Sequence, residues 1–200
     1  MRLNCNINGS QYSLVVNSDK PLSLILKEQI ITFGENSQCL GASCGNCIVL
    51  INGNAALSCL VPAFKINGAS ILTFEGFQKT RFCHDIERAY SDVGNQPCPQ
   101  CYASKTIIIE SILNKVDKEN QNRVSGFQFG AGSNPDMNHV SGANTNEQAA
   151  RSRIGTGSIS SELITREMAL SSCQCIETAE LEKIINLAYK YRSRRRARRS

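Results

Sequence analysis

Four cysteines constrain this chain more than anything else in it. Cys39, Cys44 and Cys47 lie in one short stretch, Cys39-Leu-Gly-Ala-Ser-Cys44-Gly-Asn-Cys47, and Cys59 follows. A loop that gathers three thiols so closely has to wrap around something, and Gly41 and Gly45 offer the positive φ angles and close backbone approach that a wrap needs. The place of the fourth follows from turn arithmetic. Asn52-Gly53 between two apolar runs is a two-residue hairpin signal. Residues across such a turn pair so that their numbers sum to 105, the sum of 52 and 53. Ser58 then stands opposite Cys47, and Cys59 returns one step further on, beside the loop that presents the other three.

What the thiols hold depends on the compartment. The start, Met-Arg-Leu-Asn-Cys-Asn-Ile-Asn-Gly-Ser, has no apolar core of a signal peptide, and no later stretch is apolar for long enough to span a bilayer. The expectation is a soluble, cytoplasmic protein, in which lasting disulfides are rare and clustered cysteines among the ten present are metal ligands. The C-x4-C-x2-C…C arrangement matches the plant-type ferredoxin spacing for a [2Fe–2S] cluster. Zinc sites usually draw pairs two to four residues apart from two separate knuckles, which a triplet in one Gly-rich loop fits poorly. Cys39, Cys44, Cys47 and Cys59 are therefore read as the ligands of one [2Fe–2S] cluster.

A second group, Cys98-Pro-Gln-Cys101 and Cys173-Gln-Cys175, is less specific. A thioredoxin-like pair would sit at a strand-to-helix junction, whereas helical patterns surround this one. Four thiolates from two helix-flanked turns suit either zinc or a second iron pair, and spacing leaves that choice open. Cys5 and Cys83 read as packed thiols, and His84 and His139 as solitary histidines without a catalytic or zinc-binding partner. No Ser-His-Asp set, phosphate loop or dinucleotide fingerprint is present, so no active site is expected within the chain.

The remaining pattern divides in two. Leu3, Cys5 and Ile7 alternate with polar residues before Asn8-Gly9, as Tyr12, Leu14 and Val16 do after it, predicting a hairpin. Asp19 and Pro21 open a short apolar helix from Leu22 to Ile30, and Ser70 to Phe74 reads as a last strand. After Gly76 the apolar spacing turns helical at Phe82, Ile86, Ala89 and Tyr90, at Ile107 to Ile112, at Glu162 to Leu170 and at Glu180 to Tyr191. The fold class is α+β, with a small sheet domain at 1–76 and a helical domain at 77–191. A stretch at about 118–157, rich in Asn, Ser and Gly, is expected to be a disordered insertion.

The net charge of +5 is local. Seven of the 22 Lys and Arg lie from Lys190 to Arg199, and the remaining 15 face 17 acids. The body is not a basic domain, and residues 192–200 read as a solvated basic tail, less often a docking or nucleic-acid arm.

Taken together, these motifs resemble the small iron–sulfur subunit of the xanthine dehydrogenase, aldehyde oxidoreductase and carbon monoxide dehydrogenase family of molybdenum hydroxylases. The likeness rests on Cys39 to Cys47 followed by Ile48-Val-Leu-Ile-Asn-Gly53, on Ser58-Cys59-Leu60, on Thr73-Phe-Glu-Gly76, on Glu87-Arg-Ala-Tyr90 before Cys98, and on Ser172-Cys-Gln-Cys175. It implies an N-terminal ferredoxin-like β-grasp domain and a C-terminal helical bundle, each with one [2Fe–2S] cluster, the second held by Cys98, Cys101, Cys173 and Cys175. It also implies electron transfer from a molybdopterin-binding large subunit towards an FAD-binding subunit, in a hetero-oligomer without membrane or nucleic acid. The chain departs from the family's Cys-Gly-x-Cys-Thr-Pro-Gly at Pro97, Pro99 and Tyr102-Ala-Ser104, and from its Leu-Cys-Arg-Cys at Gln174. Two rivals remain: a zinc-stabilised nucleic-acid module that uses the Arg tail, and a one-cluster ferredoxin-like carrier with a decayed helical half.

Overall fold

The computed structural model describes residues 1–29, 44–126 and 159–198. Strands β1 (Arg2–Ile7) and β2 (Ser10–Val15) form the expected hairpin, with Leu3 opposite Leu14 and Cys5 opposite Tyr12. Asn8 and Gly9 both have positive φ, 52° and 89°, as this two-residue turn demands. Helix α1 (Leu22–Gln29) follows, and β3 (Ile48–Ile51) and β4 (Asn54–Leu57) flank Asn52-Gly53. Their pairing runs Ile48 to Leu57 and Ile51 to Asn54, the register that sums to 105. Strand β5 (Ser70–Leu72) lies between β1, to which it is parallel, and β3, to which it is antiparallel. The five-stranded order is β2-β1-β5-β3-β4.

Both faces of this sheet are covered around β3. Val49 joins Leu3, Ile7, Leu22, Ile25, Leu26 and Ile71 in a core between sheet and α1. Ile48 and Leu50, pointing the opposite way, join the core of the helical half. The run Ile48-Val49-Leu50-Ile51 is apolar throughout because both of its faces are packed.

The helices are α2 (Phe74–Phe77), α3 (Arg81–Val93), α4 (Tyr102–Gly126), α5 (Ser161–Met168) and α6 (Thr178–Ala197). Phe74, expected to end a strand, instead begins α2. The Asn8 side chain explains the switch: it accepts from the Thr73 amide at 2.9 Å and donates to Thr73 Oγ1 at 3.1 Å. Any Cβ on Gly76 would collide with it. The boundary expected at residue 76 thus falls inside a helix latched to the first hairpin.

Two further expectations are corrected. The insertion was expected to begin at 118, yet α4 continues to Gly126. Polar contacts hold its far end: Asp117 pairs with Arg196 at 2.8 Å, Lys118 reaches the Asn52 carbonyl at 3.5 Å, and Asn120 donates to Tyr189 Oη at 2.8 Å. The rest of that stretch, 127–157, lies outside the described residues. The basic tail is not free either, because α6 runs through it to Ala197. Arg192 is 1% exposed and pairs with Glu110 and Asp117, and Arg195 pairs with Asp85 at 2.7 Å. Arg192 and Arg195 also lie over the Phe82 ring, 4.5 and 4.9 Å from its centroid. Among the described residues, no helix is long and apolar enough to cross a membrane.

Candidate metal centre

Cys98 and Cys101 sit on the turn that leads into α4. Pro99 takes the second position of a four-residue turn closed by the Cys101 amide donating to the Cys98 carbonyl at 3.0 Å, a place where a fixed φ is favourable. The Lys105 amide donates to the Cys101 carbonyl at 2.9 Å, so the thiols stand at the N-terminus of a 25-residue helix. The positive end of its macrodipole favours thiolate there. Cys173 and Cys175 come from the irregular segment between α5 and α6. The four Sγ atoms all lie within 4.8 Å of one another. Among the described residues, this is the one place where three or more such ligand atoms converge. Cys101 Sγ is 3.1 Å from both Cys98 and Cys175, and Cys98 is 3.9 Å from Cys173.

Electrostatics order these thiols. Hydrogen bonds from Cys101 to the Cys98 sulfur lower Cys98 to about 7. Burial, followed by the hydrogen bond with Cys175, pushes Cys101 up, and burial raises Cys173. One sulfur is thus poised to ionise while its neighbours donate to it, the arrangement that a cation entering the set would complete. Although Pro97 and Pro99 carry no amide hydrogen, the Cys98 amide donates to Cys175 Sγ at 3.4 Å. An all-thiol set with no carboxylate or imidazole suits soft metals, zinc or iron–sulfur. Its donors fit an iron–sulfur cluster.

Of the first group, Cys39 lies outside the described residues. Cys47 is buried in the turn directly before β3, and Cys59 lies in a 3-10 turn, Ser58–Leu60, directly after β4. Ser58 donates to the Cys47 carbonyl from its amide at 3.0 Å and from Oγ at 2.8 Å, so the two segments meet as the turn arithmetic requires. Cys44 is half-buried, and Gly45 beside it has φ +70°.

Cys5 and Cys83 are core thiols, 2% and 0% exposed, and burial raises both, Cys83 to about 12. His84 has a partner the sequence did not suggest, Glu87 Oε2 at 2.9 Å, but the pair lies on the surface. His139 lies outside the described residues.

Gly45 takes the positive φ expected of it, but the partner it approaches, in the segment before Cys173, was not foreseen from the sequence. A Cβ on Gly45 would come within 2.6 Å of the Leu170 carbonyl oxygen and 2.8 Å of Ser171 Cα. Ser172 Oγ donates to the Cys44 carbonyl at 3.4 Å. Ser171 Oγ is buried there with no partner among the described residues. The signal for this seam was weak: a glycine inside a cysteine loop, and two serines before Cys173.

No family profile matches the chain. The iron-sulfur-binding subunit of xanthine dehydrogenase from Escherichia coli O157:H7 is 33% identical over 113 residues, 56% of this chain and 70% of that protein. In structure, quinoline 2-oxidoreductase from Pseudomonas putida 86 matches with a TM-score of 0.60 and 21% identity, over 97% of this chain and 96% of the matched one. The aldehyde oxidoreductase of Desulfovibrio gigas matches with a TM-score of 0.64 and 17% identity. There the match spans 98% of this chain but 17% of the other, so the present fold corresponds to one part of a much longer polypeptide.

Proposed function

The chain belongs to the family of iron–sulfur subunits of xanthine dehydrogenase-type oxidoreductases, and from that premise we propose that it carries two [2Fe–2S] clusters and passes electrons between them. Cys39, Cys44, Cys47 and Cys59 hold one cluster, and Cys98, Cys101, Cys173 and Cys175 hold the other. The observation that carries the reading is the convergence of the second four thiols within 4.8 Å, from turns more than seventy residues apart. A helical half that had decayed to mere scaffold would have no reason to keep all four together, which counts against the one-cluster carrier.

A bound [2Fe–2S] cluster supplies reversible one-electron chemistry. The chain's own residues do the rest. The cysteines bind, the α4 N-terminus and the Cys98 amide offset negative charge at sulfur, and the two packed cores hold the cysteine segments in register. No side chain breaks or forms a bond, and the subunit is non-catalytic. Electrons arrive from a molybdopterin-binding large subunit and leave towards an FAD-binding subunit, both separate partners in a cytoplasmic hetero-oligomer.

One observation favours a second reading of the helical site. Four sulfurs about a single zinc with 2.3 Å bonds form a tetrahedron with edges of about 3.8 Å, close to the Cys98–Cys173 separation of 3.9 Å, although Cys101 lies nearer than that, 3.1 Å, to both Cys98 and Cys175. The nucleic-acid part of that rival is weakened, because Arg192, Arg195 and Arg196, three of the seven basic residues in 190–199, are engaged by carboxylates of the chain. Counting iron, zinc and acid-labile sulfide in protein purified without oxygen decides between them. Two-cluster protein contains about four irons and four sulfides per chain; zinc with no more than about two irons assigns the second site to zinc.

A further inference from the structure

Resting on the two-cluster reading, we propose that Gly45 and Ser172 are positioning residues that set the seam across which the two cysteine groups exchange an electron. The seam has three features that packing alone does not require. Gly45 lies in the cysteine loop, between Cys44 and Cys47, and its missing side chain lets the loop backbone rest on Leu170 and Ser171, where a Cβ would be 2.6 Å from one carbonyl oxygen. No L residue fits in that space, and φ +70° disfavours side chains independently. Ser172, adjacent to Cys173 in sequence, donates its hydroxyl to the carbonyl of Cys44 at 3.4 Å. A ligand residue of one group and the neighbour of a ligand in the other are thus joined by one hydrogen bond. Ser171 is 7% exposed, and its buried Oγ has no acceptor among the described residues. An unpaired buried hydroxyl is unfavourable.

The step itself is simple. With iron–sulfur clusters bound, one electron would pass from the site of Cys98, Cys101, Cys173 and Cys175 to the site on the Cys44 side, with no proton moved and no bond made or broken. What the seam contributes is distance and a continuous bonded route.

The test uses the full chain loaded with iron. Gly45→Asn is the main variant, because Asn tolerates a left-handed φ yet carries a Cβ, so it relieves backbone strain while keeping the collision. Gly68→Ala is the control, with φ +75° and nothing within 4 Å of the added carbon. Iron is counted, and the dithionite-reduced protein is examined by low-temperature electron paramagnetic resonance for magnetic splitting between the two reduced clusters. Electron redistribution after sub-stoichiometric reduction is timed. The expected result is a full iron complement in all variants, loss of splitting and slower redistribution in Gly45→Asn, parent behaviour in Gly68→Ala, and slower redistribution in Ser172→Ala. Full iron with unchanged splitting in Gly45→Asn overturns the proposal, and so does selective loss of first-site iron in that variant, which would give Gly45 a role in its own loop alone. A Ser172→Ala rate equal to the parent's overturns the part given to Ser172. Parent protein lacking one cluster would instead defeat the two-cluster reading itself.

Discussion

Replacing Arg192 with Met removes the cation from between two buried carboxylates while keeping most of the packed stem. Arg192 is 1% exposed, Glu110 4% and Asp117 8%, so water cannot compensate for the loss. Burial already lifts Glu110 to about 7 from the usual carboxylate value of 4.5, even though Arg192 pulls it down. Taking one partner from a buried ion pair typically destabilises by about 3–5 kcal/mol. In a chain of this length that lowers the melting temperature by roughly 6–20 °C, at about 2–4 °C per kcal/mol. The pH dependence has a definite sign. A carboxyl whose folded value is raised contributes stability fully below its unfolded value and loses that contribution as pH rises through the folded one. The parent therefore loses stability from Glu110 between about pH 4.5 and 7. Arg192→Met, with Glu110 raised further, loses more and continues to do so above that window. Thermal unfolding followed by circular dichroism at pH 5 and pH 8, with iron content matched, measures both effects. A variant within about 1 kcal/mol of the parent at pH 8, or equally destabilised at both pH values, refutes the reasoning.

Three further outcomes follow from the same geometry. Cys101→Ser removes the sulfur 3.1 Å from both Cys98 and Cys175 and is expected to halve the iron per chain; parent-level iron would remove Cys101 from the ligand set. In metal-stripped but folded protein at pH 7, an alkylating reagent is expected to label the exposed Cys175 and to spare Cys83, which burial holds near 12; peptide mapping that finds Cys83 labelled before unfolding contradicts its placement. Ser58→Ala deletes the buried hydroxyl bond to the Cys47 carbonyl and is expected to lower stability by about 1 kcal/mol and to speed loss of the first cluster to a chelator. Unchanged chelation kinetics would separate Ser58 from that site.

What could be read in the sequence was what local rules govern. Asn52-Gly53 fixed the β3–β4 register because its turn type leaves no freedom in pairing, and the contact of Ser58 with Cys47 followed. The α1 helix was signalled by Asp19 and Pro21 ahead of an apolar run, and the buried Cys5 by the alternation of the first hairpin. The failures share a different cause, in that each depended on a partner distant in sequence. Phe74 became helical because Asn8 captures Thr73. The far end of α4 lacks an apolar stripe because it is held by Arg196, Asn52 and Tyr189, so composition alone marked it as insertion. Arg192, Arg195 and Arg196 looked like a solvated run, although their spacing continues the helical pattern of Ile184, Ile185 and Ala188 with no Gly or Pro to end it. The second thiol set was legible as two pairs, but their meeting is a tertiary fact. The choice of iron over zinc rests on family membership, since the thiols alone suit both.

The most direct test of the two-cluster account is a stepwise reductive titration of anaerobically purified protein, followed by electron paramagnetic resonance with iron and sulfide counted on the same sample. The account predicts about four irons and four sulfides per chain and two distinguishable reduced [2Fe–2S] signals, each integrating to about one spin. A single signal with about two irons, whether or not zinc accompanies it, contradicts it.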